Sequence, residues 1–400
     1  MKRHAFRLMG FASALALCAG AAQAQNKGVV IGQIDDMGGV YADVIGKGGS
    51  EAAQMAIADF GGEVLGKKIE FVSADHQNKP DIGSAKFREM VDRNGVTMVI
   101  GGSNTGVSLA MAPVANEKKT TFVAIGAAGA SLTGKDCNPY TIHYAYDTTA
   151  LANGTASTIV KQGGKNWYFL TADYAFGTQL QEAASKVVTD NGGKVLGAVR
   201  VPLGTSDFSS FLLQAQGSNG QVIGLANAGA DFSNSLKAAQ EFGITEQMKP
   251  AALLAFISDV HALGLNTAKG LYYTTTWYWD LNDKTRAFSK RFEEKMKRPP
   301  GELQAAVYSS TMAYLNAVKA AGTTDADKVM EQMRKTPIND MFTENGHVRK
   351  DGLMEHDMYI VQVKTPAESK APWDYLKVVQ KMGGLEAFGK VSDACSYAKQ

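Results

Sequence analysis

Val96–Gly134 reads VTMVIGGSNTGVSLAMAPVANEKKTTFVAIGAAGASLTG, in which two short apolar runs are each followed at once by a turn of small residues. Val96–Ile100 precedes GGSNTGVS, and Thr121–Ile125 precedes GAAGAS. Short apolar runs bounded by glycine are typical of buried strands, and the sequence between the two runs predicts a helix. The stretch therefore predicts two neighbouring parallel strands with sterically open backbone at their carboxyl ends.

The carboxyl ends of such strands are where open α/β sheets bind ligands. A small-residue turn that opens a helix presents unpaired N–H groups and the positive end of the helix dipole, and both favour a carboxylate or another small anion. The two turns are therefore the first candidate for a binding site.

The same alternation of strands and helices runs along most of the chain and predicts two doubly wound α/β units. Predicted strands flanking the opening stretch are Gly28–Ile34, Lys68–Ala74, Trp167–Thr171, Val195–Val201, Val222–Ala226 and Ala251–Phe256. Three amphipathic helices are predicted next, at Lys284–Met296, Glu302–Ala321 and Asp325–Lys335, and their apolar faces must pack against a sheet. Strand patterns return after them at Met358–Val363 and Trp373–Val379. This order predicts that the chain crosses between two lobes more than once.

We place the crossings near Tyr146–Thr149, Thr275–Tyr278 and Met341–Gly346. The N-terminal lobe is then expected to comprise residues 25–146 and 278–341 with the tail 376–400, and the C-terminal lobe residues 147–277 and 342–375. Two lobes also suit the length, because a chain of this size exceeds what one core serves.

The first 24 residues have the pattern of a secretory signal peptide. Lys2, Arg3 and Arg7 precede the apolar run Leu8–Ala22, and Ala22-Gln23-Ala24 matches an A-x-A cleavage site. Cleavage after Ala24 leaves 376 of the 400 residues, with 38 basic and 39 acidic side chains. We expect an exported, periplasmic protein, and the near-zero net charge favours neither nucleic acid nor an acidic membrane surface.

Two cysteines, Cys137 and Cys395, remain after cleavage. An even number in a chain bound for an oxidising compartment predicts one disulfide that ties the C-terminal tail to the first lobe. Two buried free thiols are the alternative.

Three segments together resemble the periplasmic branched-chain amino-acid-binding family, the solute receptors of ABC importers. They are the opening VVIGQIDDMGGVYADVIGKGGSEAAQMAIADFGG at 29–62, the two turns above, and ADYAFG at 172–177. The resemblance implies a type I periplasmic-binding-protein fold, in which two lobes joined by three hinge strands close on one small molecule. It also implies a monomer that works with a membrane permease and an ATPase, without catalytic residue, metal or cofactor.

Carried over residue by residue, the family's carboxylate-binding hydroxyl falls on Thr105, with Ser103 and Asn104 beside it. The second turn falls on Gly126, Ala127 and Ala128, where the family usually has a threonine. Anion binding would then depend on Thr105 and on backbone N–H groups of both turns.

In the second lobe the family's Tyr-Gly pair becomes Phe176-Gly177, so an apolar ring is expected against the ligand, with Tyr174 near it and Tyr41 covering the cleft. Leu253 and Leu254 occupy the neighbourhood where the family has an acid for the ligand ammonium. A buried ammonium without a partner is strongly unfavourable. We therefore expect a small carboxylate with an apolar or aromatic body. Further candidates for contact are Asn227, Trp277 and Gln304.

Sequence motifs of common enzyme classes are incomplete or missing in this chain. GASLTGKD, residues 129–136, matches a phosphate-binding loop until Asp136 stands where serine or threonine should hold magnesium. GGSNT lacks the final glycine of a nucleophile elbow, because Thr105 occupies that place. The histidines are scattered, without an H-E-x-x-H motif, and no G-x-G-x-x-G fingerprint opens a βα unit.

Other interpretations stay open at this stage. Tyr174 and Phe176 would also serve as inter-lobe packing, Asn227 as a turn residue and Trp277 as a core residue. The receptor would alternatively bind a branched-chain or other amino acid, or sense a ligand for a signalling partner. An exported enzyme of similar architecture is a third, remote alternative.

Overall fold

A computed structural model describes residues 28–399, so the signal peptide predicted for residues 1–24 lies outside the described residues. The described strands are β1 Val30–Asp35, β2 Glu63–Val64, β3 Lys67–Lys68, β4 Glu70–Asp75, β5 Met98–Gly101, β6 Thr121–Ala124, β7 Thr141–His143, β8 Asn166–Ala172, β9 Lys194–Val201, β10 Val222–Ala226, β11 Lys249–Ala252, β12 Tyr272–Thr275, β13 His347–Val348, β14 Met354–Glu355, β15 Met358–Val363 and β16 Leu376–Met382.

The described α-helices are α1 Gly46–Phe60, α2 Pro80–Asn94, α3 Thr105–Lys118, α4 Thr148–Leu151, α5 Ser157–Lys161, α6 Ala175–Asp190, α7 Ser209–Gly217, α8 Gly229–Glu241, α9 Ile244–Gln247, α10 Ile257–Leu263, α11 Leu265–Ala268, α12 Asp283–Met296, α13 Glu302–Ala321, α14 Ala326–Lys335 and α15 Gly384–Phe388. A π-helical segment, Ala152–Ala156, joins α4 to α5. Within residues 28–399, no helix is long and apolar enough to cross a membrane.

Two parallel sheets form the centres of the molecule. The first has the strand order β4-β1-β5-β6-β7 and the second β11-β10-β8-β9, with every pair parallel. Strands β1, β5, β6 and β10 are buried at every residue, because helices cover both faces. β5, β6 and β10 are accordingly largely apolar, whereas β1 also buries Gln33 and Asp35. The predicted α/β class, with two doubly wound sheets, is confirmed.

The helices from the later part of the chain return to the first sheet. Helix α13 packs along α1, and α2 packs along α3. A third, antiparallel sheet of order β12-β15-β16 contacts the second sheet through β11 and β12. We call the first sheet with its helices the first lobe, and the other two sheets with their helices the second lobe.

Strand pairing bears on two of the predicted lobe boundaries. Residues 346–355 lie against the first lobe, since the His143 N–H donates to the Gly352 carbonyl at 2.9 Å and Ile338 forms a bridge with Gly346. This pairing leads us to propose a third crossing near His356, later in the chain than the predicted Met341–Gly346. β16 pairs with β15, so residues 376–382 belong to the second lobe. β13 and β14 are too short to give a sequence pattern.

The strand predicted at Ala251–Phe256 ends earlier, at Ala252. The Phe256 N–H donates to Asp259 Oδ2 at 3.0 Å, which caps helix α10 from its first turn. Leu253–Phe256 is consequently a turn at the carboxyl end of β11. Cys137 and Cys395 form the predicted disulfide.

A buried carboxyl group accepts backbone hydrogen bonds at each of the first two crossings. Asp147 Oδ1 accepts the Ala150 N–H at 2.7 Å and caps α4, directly after the chain leaves the first sheet. Glu302 Oε2 accepts the Thr276 N–H at 2.7 Å together with the hydroxyls of Thr275 and Thr276 at the second crossing. Burial raises the pKa of each carboxyl to about 7.

These raised pKa values mean that the two carboxyls stabilise the folded protein more in mild acid than at neutral pH. A carboxyl with a higher pKa in the folded state stabilises the fold fully below its unfolded pKa, near 4.5 for Glu302, and loses this contribution as the pH rises through about 7. We expect loss of this contribution to lower the melting temperature between about pH 4.5 and about pH 7, the unfolded and folded pKa values of Glu302. Glu302→Gln, which keeps the shape and an acceptor oxygen, should flatten this fall, measured by calorimetry across the pH range.

Glu63→Gln provides the control for that measurement, since Glu63 is exposed in the two-residue strand β2. A Glu302→Gln protein whose melting temperature falls with pH as steeply as that of wild type would remove Glu302 from this explanation.

Candidate ligand-binding site

The first turn follows β5 and is shaped by two glycines in the left-handed region. Gly101 has φ 116° and Gly102 φ 71°, and a Cβ would lie 2.5 Å from Asp35 Oδ2 at the former and 2.2 Å from Ser108 Oγ at the latter. Only glycine fits both the conformation and the space. The turn leads straight into the N-terminus of α3, which therefore faces the end of the sheet.

Asn104 caps helix α3. Its Oδ1 accepts the Val107 N–H at 3.2 Å, so the side chain is committed to the helix. The N–H groups of Thr105 and Gly106 have no hydrogen-bond partner among the described residues. They are the donors that a helix N-terminus offers to an anion.

The Thr105 hydroxyl links the two turns. Its Oγ1 accepts the Ala128 N–H at 3.2 Å and the Gly129 N–H at 3.1 Å. A hydroxyl has two acceptor positions and one proton. Because both acceptor positions are used, Thr105 presents only its O–H to a ligand, and this arrangement selects a hydrogen-bond acceptor.

Ser103 is held from behind by His76. The His76 Nδ1 accepts the Asn78 N–H at 3.0 Å, so the proton of the neutral ring lies on Nε2, 3.4 Å from Ser103 Oγ. Burial lowers the pKa of His76 to about 4, which keeps the ring neutral. A ring nitrogen that already carries a proton cannot take one from Ser103, so this pair is not arranged for nucleophilic catalysis.

Residues from both lobes meet over these turns and enclose a small cavity. Its lining is apolar or hydroxyl-bearing and contains no charged side chain: Tyr41, Val44, Ser103, Thr105, Gly126, Tyr146, Tyr174, Phe176, Ala228, Leu254, Phe256 and Leu303. The cavity between them has a volume of only about 10 Å³. That is room for about one water, so a larger guest requires these side chains to separate.

Hydrogen bonds join the two lobes on both sides of this cavity. The hydroxyls of Tyr41 and Tyr174 are 2.5 Å apart, and the Ala230 N–H donates to the Val40 carbonyl at 3.1 Å. On the other side, Gln179 Oε1 accepts the Ser131 N–H at 3.0 Å while its Nε2 donates to Ser131 Oγ at 3.1 Å. These contacts require the lobes to be close together.

Gly229 sits at the first of these junctions. It has φ +60°, and a Cβ there would lie 2.4 Å from the Val40 carbonyl oxygen and 3.1 Å from the Tyr41 ring. The second lobe can approach the loop that carries Tyr41 only because this position has no side chain.

Of the residues predicted for the site, the cavity brings together Tyr41, Thr105, Gly126, Tyr174 and Phe176. Ala127 and Ala128 are buried in the second turn just behind it, and the Ala127 carbonyl faces His143 Nε2 at 2.6 Å. These two contribute backbone to the turn, and they do not line the cavity.

Asn104, the cap of α3, does not line the cavity, and three further predicted candidates also lie outside it and have structural contacts instead. Asn227 Nδ2 donates to the Asp231 carbonyl at 3.2 Å and to Ser235 Oγ at 3.0 Å, which fixes the start of α8. Gln304 Oε1 accepts the Gly301 N–H at 2.7 Å and caps α13. Trp277 Nε1 donates to the Met341 carbonyl at 2.9 Å, and the ring is buried against Phe288.

The residues that sequence reasoning did not select are mainly apolar. Val44, Ala228, Phe256 and Leu303 have no feature that separates them from core residues, and Tyr146 lies in the first crossing. Among these residues, only Phe256 has a sequence position that could have indicated a place in the site, because it stands just before the first residue of α10. There it points from the second lobe into the region where an ammonium partner was expected, and Asp259 is occupied by capping the same helix.

The family model for periplasmic binding proteins matches residues 28–370 of the chain. A periplasmic binding protein from Burkholderia mallei is 56% identical and superposes with a TM-score of 0.91, covering 92% of this chain and 99% of that one. A branched-chain amino acid ABC transporter periplasmic ligand-binding protein from Burkholderia xenovorans LB400 is 36% identical with a TM-score of 0.81, covering 92% and 100%.

A more distant solved structure has the same fold. The solute-binding protein of an ABC transporter from Rhodopseudomonas palustris BisB5, in complex with 3,4-dihydroxy benzoic acid, is 20% identical with a TM-score of 0.80, covering 89% of this chain and 97% of that one. At this identity the likeness shows the fold alone. The resemblance drawn from the sequence is nevertheless confirmed by the family match, and members of the family are solute-binding proteins of transporters rather than enzymes. The chain belongs to the periplasmic binding protein family of ABC-transporter solute receptors.

Proposed function

We propose that this chain is the periplasmic receptor of an ABC importer and that it captures one small carboxylate with an apolar or aromatic body. The observation that carries the ligand class is the composition of the cavity, which combines donor groups at one end with apolar and aromatic walls and no charged side chain. Delivery would be to a membrane permease driven by an ATPase. The two-lobe division, with crossings near Tyr146, Trp277 and His356, is part of the proposal.

The donor end suits a carboxylate. The Thr105 hydroxyl can only donate, and it stands beside the unpartnered N–H groups at the start of α3. A carboxylate accepts several such bonds, and charge-assisted bonds are stronger than neutral ones. The positive end of the α3 dipole adds to the attraction.

The walls argue against a ligand ammonium. Leu254 and Phe256 face the cavity from the second lobe, and burying an unpaired ammonium against them would require several kcal/mol. An aromatic or branched aliphatic body would instead contact Phe176, Tyr146 and Phe256. The rival ligand is an amino acid such as leucine, which the name of the 36% identical relative favours.

A thermal-shift screen with matched ligand pairs separates these alternatives. Leucine is compared with 4-methylpentanoate, phenylalanine with 3-phenylpropanoate, and benzoate and 4-hydroxybenzoate are added. A ligand bound only by the folded state raises the melting temperature. We expect the acid without the amino group to give the larger rise in each pair. Leucine outperforming every acid that lacks an amino group would contradict the proposed ligand class.

Thr105→Ala should weaken binding of the best acid in the screen by about 1–3 kcal/mol, since one charge-assisted hydrogen bond is lost. Thr105→Ser keeps the hydroxyl and should retain most of the affinity. Isothermal titration calorimetry measures both. Equal affinities for Thr105→Ala and wild type would remove Thr105 from the site.

Gly229→Ala should weaken binding because the added Cβ obstructs closure of the lobes onto Val40 and Tyr41. Gly243→Ala is the matched control: Gly243 also has positive φ, at +68°, but nothing lies within 4 Å of its Cβ position. Both variants should lose similar stability, roughly 1–2 kcal/mol for a left-handed alanine. Only Gly229→Ala should bind the acid more weakly, and equal affinities in the two variants would argue against closure at this junction.

A further inference from the structure

The C-terminal tail runs from the second lobe back to the first and passes over the hinge. It leaves the second lobe at Met382, the end of β16, and its far end is bonded through Cys395 to Cys137 of the first lobe. Cys395 is fully buried, and the Arg334 guanidinium lies 5.5 Å from the centre of the Tyr397 ring. Both ends of the segment are therefore fixed, each to a different lobe.

Between these ends the tail docks on the first crossing. Asn153, in the π-helical segment that follows this crossing, donates from Nδ2 to the Ala387 carbonyl at 2.8 Å and to the Glu386 carbonyl at 3.4 Å. Both carbonyls belong to α15, the short helix of the tail.

The tail also docks on the first lobe, on the segment just before the third crossing. Arg349 Nη1 donates to the Gly389 carbonyl at 2.8 Å, and its Nη2 to the Lys390 carbonyl at 3.4 Å. The Arg349 side chain is only 7% exposed and is held by the carboxylates of Asp351 and Glu355. Because two carboxylates fix the arginine in place, it is a rigid hydrogen-bond donor for these carbonyls.

The crossings themselves are joined under the tail. His356 Nε2 lies 2.9 Å from the Ala145 carbonyl of the first crossing, and Phe388 of α15 packs on the His356 ring at 5.4 Å between centroids. A change in the angle between the lobes would therefore disturb the surface on which the tail is seated.

We infer that the tail is a strap that restricts opening of the lobes, and that the Cys137–Cys395 disulfide keeps it seated. This inference rests on the proposed two-lobe motion. The covalent link alone is too long to act as a stop, because about 13 residues between Met382 and Cys395 would span roughly 43–47 Å when extended. The disulfide holds the far end of the tail on the first lobe. Because both ends of the tail are then anchored, its effective concentration at the docking surface over the hinge is high.

Small-angle X-ray scattering of the unliganded protein tests the strap without any ligand. The double variant Cys137→Ser/Cys395→Ser should have a larger radius of gyration and maximum dimension than wild type, because the released tail no longer limits opening. Hydrogen exchange should rise at residues 384–390 in the same variant. An unchanged radius of gyration would overturn the inference, whatever the outcome of the ligand screen.

Asn153→Ala serves as the second variant, because it keeps the disulfide and removes only the two bonds to α15. It should increase the radius of gyration by a smaller amount and increase hydrogen exchange in α15. Should the double serine variant fail to fold, this variant decides alone, and wild-type scattering from Asn153→Ala would overturn the strap.

Discussion

The Thr105 hydroxyl, which accepts the Ala128 and Gly129 N–H groups, fixes the two strand tips of the first lobe relative to each other. It also sets the chemistry of the site, because an oxygen that accepts twice can only donate to a guest. The glycines before it, the cap at Asn104 and the parallel sheet that brings the two turns together all serve this arrangement. The receptor function proposed for this chain depends on this one hydroxyl and its neighbours.

The second lobe contributes shape rather than charge. Phe176 reaches the cavity from the end of β8, and Leu254 and Phe256 reach it from the end of β11, so the walls form only when the lobes are close together. In the same arrangement Ala230 contacts Val40 and Gln179 contacts Ser131. A binding site divided between two bodies joins the ligand to the motion, since a guest that contacts both lobes stabilises the closed form over the open one.

The sequence predicted the sheets and the two turns because both leave local patterns: apolar runs of strand length, and glycine or small residues where the backbone must turn. It did not predict the short strands β13 and β14, which have two residues each and form through long-range pairing. It placed Phe256 in a strand, because capping by Asp259 is decided by helix α10 and not by local apolarity.

The same limit explains the site candidates that lie elsewhere. Asn227, Trp277 and Gln304 are polar or aromatic residues near strand and helix ends, where a ligand contact and a cap look alike in sequence. The apolar lining residues Val44, Ala228 and Leu303 are ambiguous in a different way. In sequence they cannot be told from core residues, and only the packing of the two lobes shows that they line the cavity. What a side chain faces across the cleft depends on three crossings distant in sequence, and no local pattern encodes it.

Distances between spin labels on the two lobes test most directly whether they close on a ligand. Cysteines introduced at Lys47 in α1 and Glu182 in α6 would carry the labels, since both positions are exposed and lie on different lobes. The ligand identified by thermal shift should move the distance distribution to shorter values and narrow it. Tight binding with an unchanged distribution would contradict closure of the lobes around the ligand.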